Sequence, residues 1–416
     1  MRSPSLTPLR LPPYRRLLSA YSINNLGDWV GEIALSLLIL HETGSVLAVT
    51  ALWVLGRFVP GLLAPLAVAA LERRGSPRLL SALHLVQAAL YAGLAAAALA
   101  GAPVALILGL ALADGILAVS GRALVKTAVV AVTRPEGLLR EGNALLGIAF
   151  TGTLALGPLA GGVAVALLGV PAALVLDAAS FALAAVLLGP GARLPGAEPM
   201  ETLVARRLRA GLGHLRRHRE LRVLVLADAA AGVFLAAIIP VELVFVTETL
   251  GGTEADFGAV LAAWGGGAVL GSALVSALPR MGARTLLPAG VGLMIVAYLG
   301  MGTAGGVGAV VAFSLLGGVG NGLESVVITT FIQERTPDAL QARVNGVLEA
   351  LHTAAPGAGF LLGGIVAATA SPRAAYWVAG LGALAVALAA VAALRRSTDG
   401  RAVRPAVPCG PAVVAG

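Results

Sequence analysis

The sequence predicts an all-α integral membrane protein: twelve transmembrane helices arranged as two pseudo-symmetric six-helix bundles. Three observations predict it: the apolar composition, the placement of the arginines, and an internal repeat. Of 416 residues, 58% are hydrophobic and 12% charged, whereas a soluble domain carries about a quarter charged residues. Mean hydropathy is +0.91. Crossing the hydrocarbon core takes about 20 apolar residues. Runs of that size fall near 17–40, 46–71, 79–100, 103–125, 143–168, 170–189, 222–247, 257–279, 285–304, 306–332, 344–370 and 374–394.

The arginines choose a side. Net charge is +8, with Lys126 the single lysine. Alternate connections collect Arg15 and Arg16, Arg73 and Arg78, Arg134 and Arg140, Arg206 to Arg222, Arg280 and Arg284, Arg335 and Arg343, then Arg395 and Arg396. The opposite connections hold only Arg373, and Arg57 lies inside the second run. By the positive-inside rule both termini are cytoplasmic in a multi-pass protein of the cell membrane. Basic residues confined to short loops face anionic lipid rather than nucleic acid. Lipids, protons and a small-molecule substrate are the expected partners, and a monomer is expected. Met1 to Arg16 is Pro- and Arg-rich, and no small-residue cleavage site follows the first run, so that run reads as a retained helix.

The elements follow in order. Residues 1–16 form a cytoplasmic tail, 17–189 the first bundle, 190–221 a central cytoplasmic loop, 222–394 the second bundle and 395–416 a second tail. In the central loop Leu203, Leu208, Leu212 and Leu215 fit either a surface helix with an apolar stripe or a solvated linker. Gly and Pro inside the runs suit helices that pack closely in a bilayer, as at Gly265-Gly266-Gly267. An offset of 202 residues superposes Pro135 on Pro337, Glu136 on Asp338, Asn143 on Asn345, Gly157 on Gly359, Gly161 on Gly363 and Gly162 on Gly364. Matching loop prolines and acids mark a duplicated six-helix unit, the layout of transporters whose halves rock about a midplane site.

Asn25-Leu26-Gly27-Asp28-Trp29, Thr43-Gly44-Ser45 and Gly157-Pro158-Leu159-Ala160-Gly161-Gly162 together resemble the major facilitator superfamily, in its branch of drug, macrolide and siderophore efflux permeases. The last segment resembles the antiporter signature of that superfamily, which assigns Gly157, Pro158, Gly161 and Gly162 to it. Pro158 also predicts a bend found in the first half alone, because its counterpart is Phe360. The loop signature between helices two and three is present in degraded form as Val68, Glu72, Arg73, Gly75 and Arg78. The resemblance makes Glu72, Arg73, Gly75 and Arg78 candidates for a cytoplasmic gating loop. It implies proton-coupled efflux of a small lipophilic or amphipathic molecule by alternating access.

Charged side chains within a bilayer cost about 2.5–3.5 kcal/mol each on insertion scales, so each requires a reason. Asp28 and Glu32 are one turn apart in the first helix and face the same way. Both ionised, they repel, which suits a carboxyl that takes up and releases a proton. A structural partnership of Asp28 with Asn24 or Asn25 is the alternative. Asp114 and Glu324 also sit well inside their spans, and Glu324 is the repeat counterpart of Arg122, which allows a structural ion pair across the halves. Arg57 can neutralise one of these acids, attract an anion, or snorkel to the interface. Asp177, Asp228 and Glu242 read as structural groups nearer to helix ends. His84, Gln87, Glu349 and His352 read as polar lining, with an i, i+3 pair between the last two.

Other chemistries have little footing. Cys409 is the only cysteine, so no intrachain disulfide or Cys-ligated zinc can form. No cofactor or metal is expected. No phosphate-binding loop appears, which leaves an ion gradient as the energy source. The rival classes are an integral membrane enzyme, which needs a positioned nucleophile or metal cluster, and a receptor or structural membrane protein, which needs neither the paired carboxyls nor the repeat.

Overall fold

The computed structural model describes residues 6–63, 79–189, 212–213, 215–278 and 281–399. All regular structure among them is helical, as it must be where no water satisfies backbone groups. Among the described residues twelve long helices run in sequence. In the first half they are α1 (Pro12–Thr43), α2 (Val46–Leu63), α3 (Leu79–Leu99), α4 (Val104–Thr133), α5 (Leu139–Leu168) and α6 (Val170–Leu188). In the second half they are α7 (Arg219–Thr249), α8 (Glu254–Ala277), α9 (Ala283–Thr303), α10 (Val307–Glu334), α11 (Asp338–Thr369) and α12 (Pro372–Asp399).

Eleven of them are long and apolar enough to cross a bilayer; in α11 the apolar stretch is Ala354–Thr369. Several outrun the apolar spans by one to two turns. Hydropathy marks the part in hydrocarbon, whereas caps and turns decide where a helix stops. Gly44 ends α1 in a left-handed cap at φ 56, its N–H donating to the Leu40 carbonyl at 2.7 Å. Thr253 and Asp256 form a reciprocal capping box at the start of α8. The matched prolines stand in matched places: Pro135 lies in the turn before α5, and Pro337 immediately precedes α11.

Two helices are irregular inside their spans. α2 passes through a π turn at Val54–Phe58. α7 is interrupted after Ala236, resumes at Ile239–Val244 and closes with a π turn at Phe245–Thr249. Such turns re-aim side chains and recur at functional sites.

In the first half α6 packs on α1 and α3, and α1 also on α5; in the second, α10 packs on α8 and α9, and α7 on α11 and α12. The halves meet through α5 on α8 and α2 on α11. Glycines make these approaches possible, and the repeat uses them identically. Gly157 and Gly161 seat α1, touching Trp29 and Ile33, while Gly359 and Gly363 seat α7, touching Val233 and Ala237. Gly162 faces Gly258 of α8 across the half interface, and Gly364 faces Thr50 of α2.

The cores divide along the helix axes. At the end away from the chain termini, one apolar core joins both halves, from Ile33, Leu94, Leu174 and Val49 to Val244, Val260, Tyr298 and Tyr376. At the terminal end the cores are separate, and a small cluster of Leu286, Leu323 and Val327 adds to those of the second half. Tyr14, Leu17, Leu83, Leu124 and Val129 belong to the first half alone, and Leu221, Val225, Ile328, Ile332 and Val344 to the second alone. The bundles are therefore joined at the far end and separately cored at the terminal end.

Candidate functional site

The ionisable groups cluster around α1, whose helical period sorts its residues into three rows. Gly27 and Gly31 face α6, Asp28 and Glu32 face the interior of the first bundle, and Trp29 and Ile33 rest on Gly157 and Gly161 of α5. Residues four apart share a face, so one helix presents two glycines, two acids and two large apolar groups to three neighbours.

Asp28 accepts a 3.2 Å hydrogen bond from Asn24 Nδ2, one turn earlier. It lines a recess between α1, α3 and α4 with Tyr21, Asn24, Asn25, His84, Gln87 and Arg122. Asp114 on α4 is buried and accepts from Gln87 Nε2 at 2.9 Å. Asp28 and Asp114 lie within electrostatic reach of each other and of Arg57 and Arg122. His84 Nδ1 and Asn24 Oδ1, both buried, have no partner among the described residues.

Glu32 has a dedicated cation. Arg57 Nε donates to Oε1 at 2.9 Å while an amino nitrogen of the same guanidinium pairs with Oε2. This fork-on-carboxylate arrangement is the strong form of the contact. The π turn of α2 carries Arg57, and its guanidinium also stands 5.8 Å from the Trp53 ring centroid. Of the three fates open to Arg57, the structure realises neutralisation of an acid, although its side chain remains 45% accessible against 15% for Glu32.

Glu324 and Arg122 do not form the interhalf ion pair that the repeat allowed. Arg122 faces the recess of the first bundle, whereas Glu324 on α10 stands beside Asp228 on α7. Asp228 Oδ2 in turn lies 2.7 Å from His352 Nε2 on α11. The expected pairing of His352 with Glu349 involves a side chain that lies outside the described residues. Asp228, read as structural from its nearness to a helix end, thus stands at the centre of the second bundle's polar cluster. The missed signal was a single acid on each of two helices, which no spacing rule connects.

Asp177 is also misplaced by the sequence reading. It is fully buried in mid-helix on α6 and faces α1. Glu242 is buried within Ile239–Val244, the short segment that follows the interruption of α7. Pro158 lies inside a continuous α5, and its carbonyl abuts Gly258 of α8. The segment thus has two working faces, Gly157 and Gly161 toward α1, and Pro158 and Gly162 toward the other half. Glu72, Arg73, Gly75 and Arg78 lie outside the described residues, as does most of the central loop. Among the described residues no three His, Cys, Asp or Glu side chains are grouped to hold a metal ion.

Comparison with solved structures decides the architecture. The chain is similar to a bacterial homologue of the iron transporter ferroportin in an inward-facing state, with 16% identity, 94% of this chain and 99% of that one covered, and a TM-score of 0.71. It is similar to the POT family transporter PepTSo at 12% identity, with 94% and 99% covered and a TM-score of 0.71. It is similar to the nucleoside transporter NupG at 14% identity, with 92% and 99% covered and a TM-score of 0.66. A family model, Major Facilitator Superfamily, matches residues 224–411. The chain has the major facilitator fold. No curated protein matches it in sequence. Within this major facilitator fold, the acids of α1 and α4 and the cluster of α7, α10 and α11 occupy opposite bundles.

Proposed function

We propose that this chain is a secondary active transporter of the major facilitator superfamily that exports a small lipophilic or amphipathic molecule in exchange for protons. One observation carries the reading: a core shared at the far end and split at the terminal end, with ionisable groups in both bundles. That is one state of a pair of bundles that rock about a central site. With both termini cytoplasmic, the split end receives substrate from inside the cell. Asp28 and Asp114 supply carboxyls that exchange protons, and Glu32 with Arg57 keeps the neighbouring turn neutral. The apolar walls favour a substrate with few polar groups over a sugar or phosphate. Drug-, macrolide- and siderophore-like compounds fit that description, and the protein acts as a monomer in the cell membrane, without catalysing bond cleavage.

The test is transport by the purified protein in liposomes loaded with a pH-sensitive dye. A pH gradient is imposed, and lipophilic cations and neutral macrolides are added in turn. Compound-dependent proton flux that disappears in Asp28→Asn is the expected result. Compound uptake without proton movement would overturn the coupling, and flux retained in Asp28→Asn would move the coupling site to Asp114 or Glu324.

A further inference from the structure

Behind the acid row of α1 lies a carboxyl that no part of the proposed cycle uses. Asp177 stands on α6 with its side chain 0% exposed. Its Oδ1 accepts from Ser180 Oγ at 3.0 Å, and its Oδ2 has no partner among the described residues. The carboxyl presses on Gly27 and Gly31, where a Cβ on either glycine would collide with it, and Tyr91 of α3 closes the same space. The two glycines flank Asp28, so α1 is shaped to seat this group directly behind its own acid. Held by the Ser180 hydroxyl and approached by the Tyr91 hydroxyl, a carboxylate in such a place is disfavoured, whereas a neutral carboxylic acid is tolerated.

The surrounding charges sharpen the point. The titratable groups facing Asp177 are Asp28 on α1, Tyr91 on α3 and Asp114 on α4. α5 also borders α6, but its only ionisable residues, Arg140 and Glu141, lie in its first turn at the terminal end. Asp28 and Asp114 have Arg57 and Arg122 within electrostatic reach. Asp177 has no such guanidinium among its nearest charged neighbours, so the counter-charge available to it is a proton.

We propose that Asp177 is a second proton-binding carboxyl, seated behind α1 and coupled to Asp28 through the gap left by Gly27 and Gly31. This rests on the proton-exchange reading of Asp28. When Asp28 is ionised, Asp177 keeps its proton on Oδ2. When Asp28 is neutralised by a proton or a cationic substrate, the repulsion is relieved, and the O–H bond of Asp177 breaks, its proton passing to water in the recess that Asp28 lines. The pair then titrates as a unit rather than as two independent acids.

Infrared titration of the full chain in lipid, following the protonated-carboxyl C=O band across pH without any substrate, tests this. Asp177→Asn, which keeps size and can still meet Ser180, is expected to lose one titration step and to displace the step assigned by Asp28→Asn. Ser180→Ala retains the carboxyl and is expected to keep both steps with the Asp177 step displaced, which covers the case in which Asp177→Asn does not fold. A titration unchanged in both variants overturns the proposal, leaving Asp177 a permanently neutral packing group. If Asp28→Asn alone loses no step, the proton reading of Asp28 fails instead, and the two failures are told apart.

Discussion

Gly162 offers a direct test of how the two halves are held together. In the described state a Cβ at this position would stand 2.6 Å from the Glu254 carbonyl oxygen and 3.0 Å from Gly258 Cα. Both are backbone atoms of α8, so neither can swing aside as a flexible side chain would. Overpacking of this kind costs about 1–3 kcal/mol. The penalty applies to the state in which α5 and α8 are apposed at the far end and is relieved when the halves part there. Gly162→Ala is therefore expected to shift the equilibrium toward the far-open state by about 5- to 150-fold. Spin labels on the α1–α2 and α7–α8 turns, read by double electron–electron resonance, would show a new population at longer distance. Gly161→Ala is the control: its Cβ would meet Trp29 and Ile33 within one bundle, which lowers thermal stability without opening the halves. Identical distance distributions in Gly162→Ala and wild type would refute the idea that this contact belongs to one state only.

Two further outcomes follow from the charged contacts. Arg57→Leu leaves the Glu32 carboxylate without its fork and is expected to lower the melting temperature, while Glu32→Gln together with Arg57→Leu restores most of the loss. A double-mutant cycle should give a coupling of about 0.5–3 kcal/mol. Asp228→Asn weakens contacts to both Glu324 and His352, so it should destabilise the second bundle more than Glu324→Gln does. The two melting temperatures, compared with that of Asp28→Asn, measure this.

Much of the architecture was legible because a bilayer imposes few solutions. Apolar length, arginine alternation and the 202-residue repeat each follow from one constraint, and the glycine correspondence carried through to equivalent packing partners in both halves. The site was legible only where residues lie on one helix. Asp28 with Glu32, and Asn24 with Asp28, are i, i+4 relations that a sequence displays. Pairings between helices are another matter: Gln87 with Asp114, Arg57 with Glu32 and Asp228 with His352 depend on helix rotation, and no alternation of apolar residues sets rotation in helices that are apolar nearly all round. The interhalf pairing of Glu324 with Arg122 failed for the same reason. Pseudo-symmetry relates two positions by a rotation of one bundle onto the other and does not bring them into contact.

The three rows of α1 tie the chemistry to the fold more closely than any single acid does. Its acid row carries Asp28 and Glu32, its glycine row seats Asp177, and its apolar row rests on Gly157 and Gly161. The next face of α5, Pro158 and Gly162, lies against α8 of the other half. In the proposed cycle a change of charge at Asp28 acts on a helix with no slack toward α5, because any side-chain atom added at Gly157 or Gly161 would collide with Trp29 or Ile33. α5 in turn meets α8 backbone to backbone. Since close-packed interfaces switch between discrete arrangements rather than deforming continuously, the glycine-proline segment would, in that proposed cycle, convert a proton gained or lost on α1 into a choice between apposed and parted halves. Pro158 suits that position because it has no backbone N–H, which leaves the Leu154 carbonyl, facing Gly265 of α8, without its donor within the helix and loosens α5 on its α8 face while the α1 face stays locked.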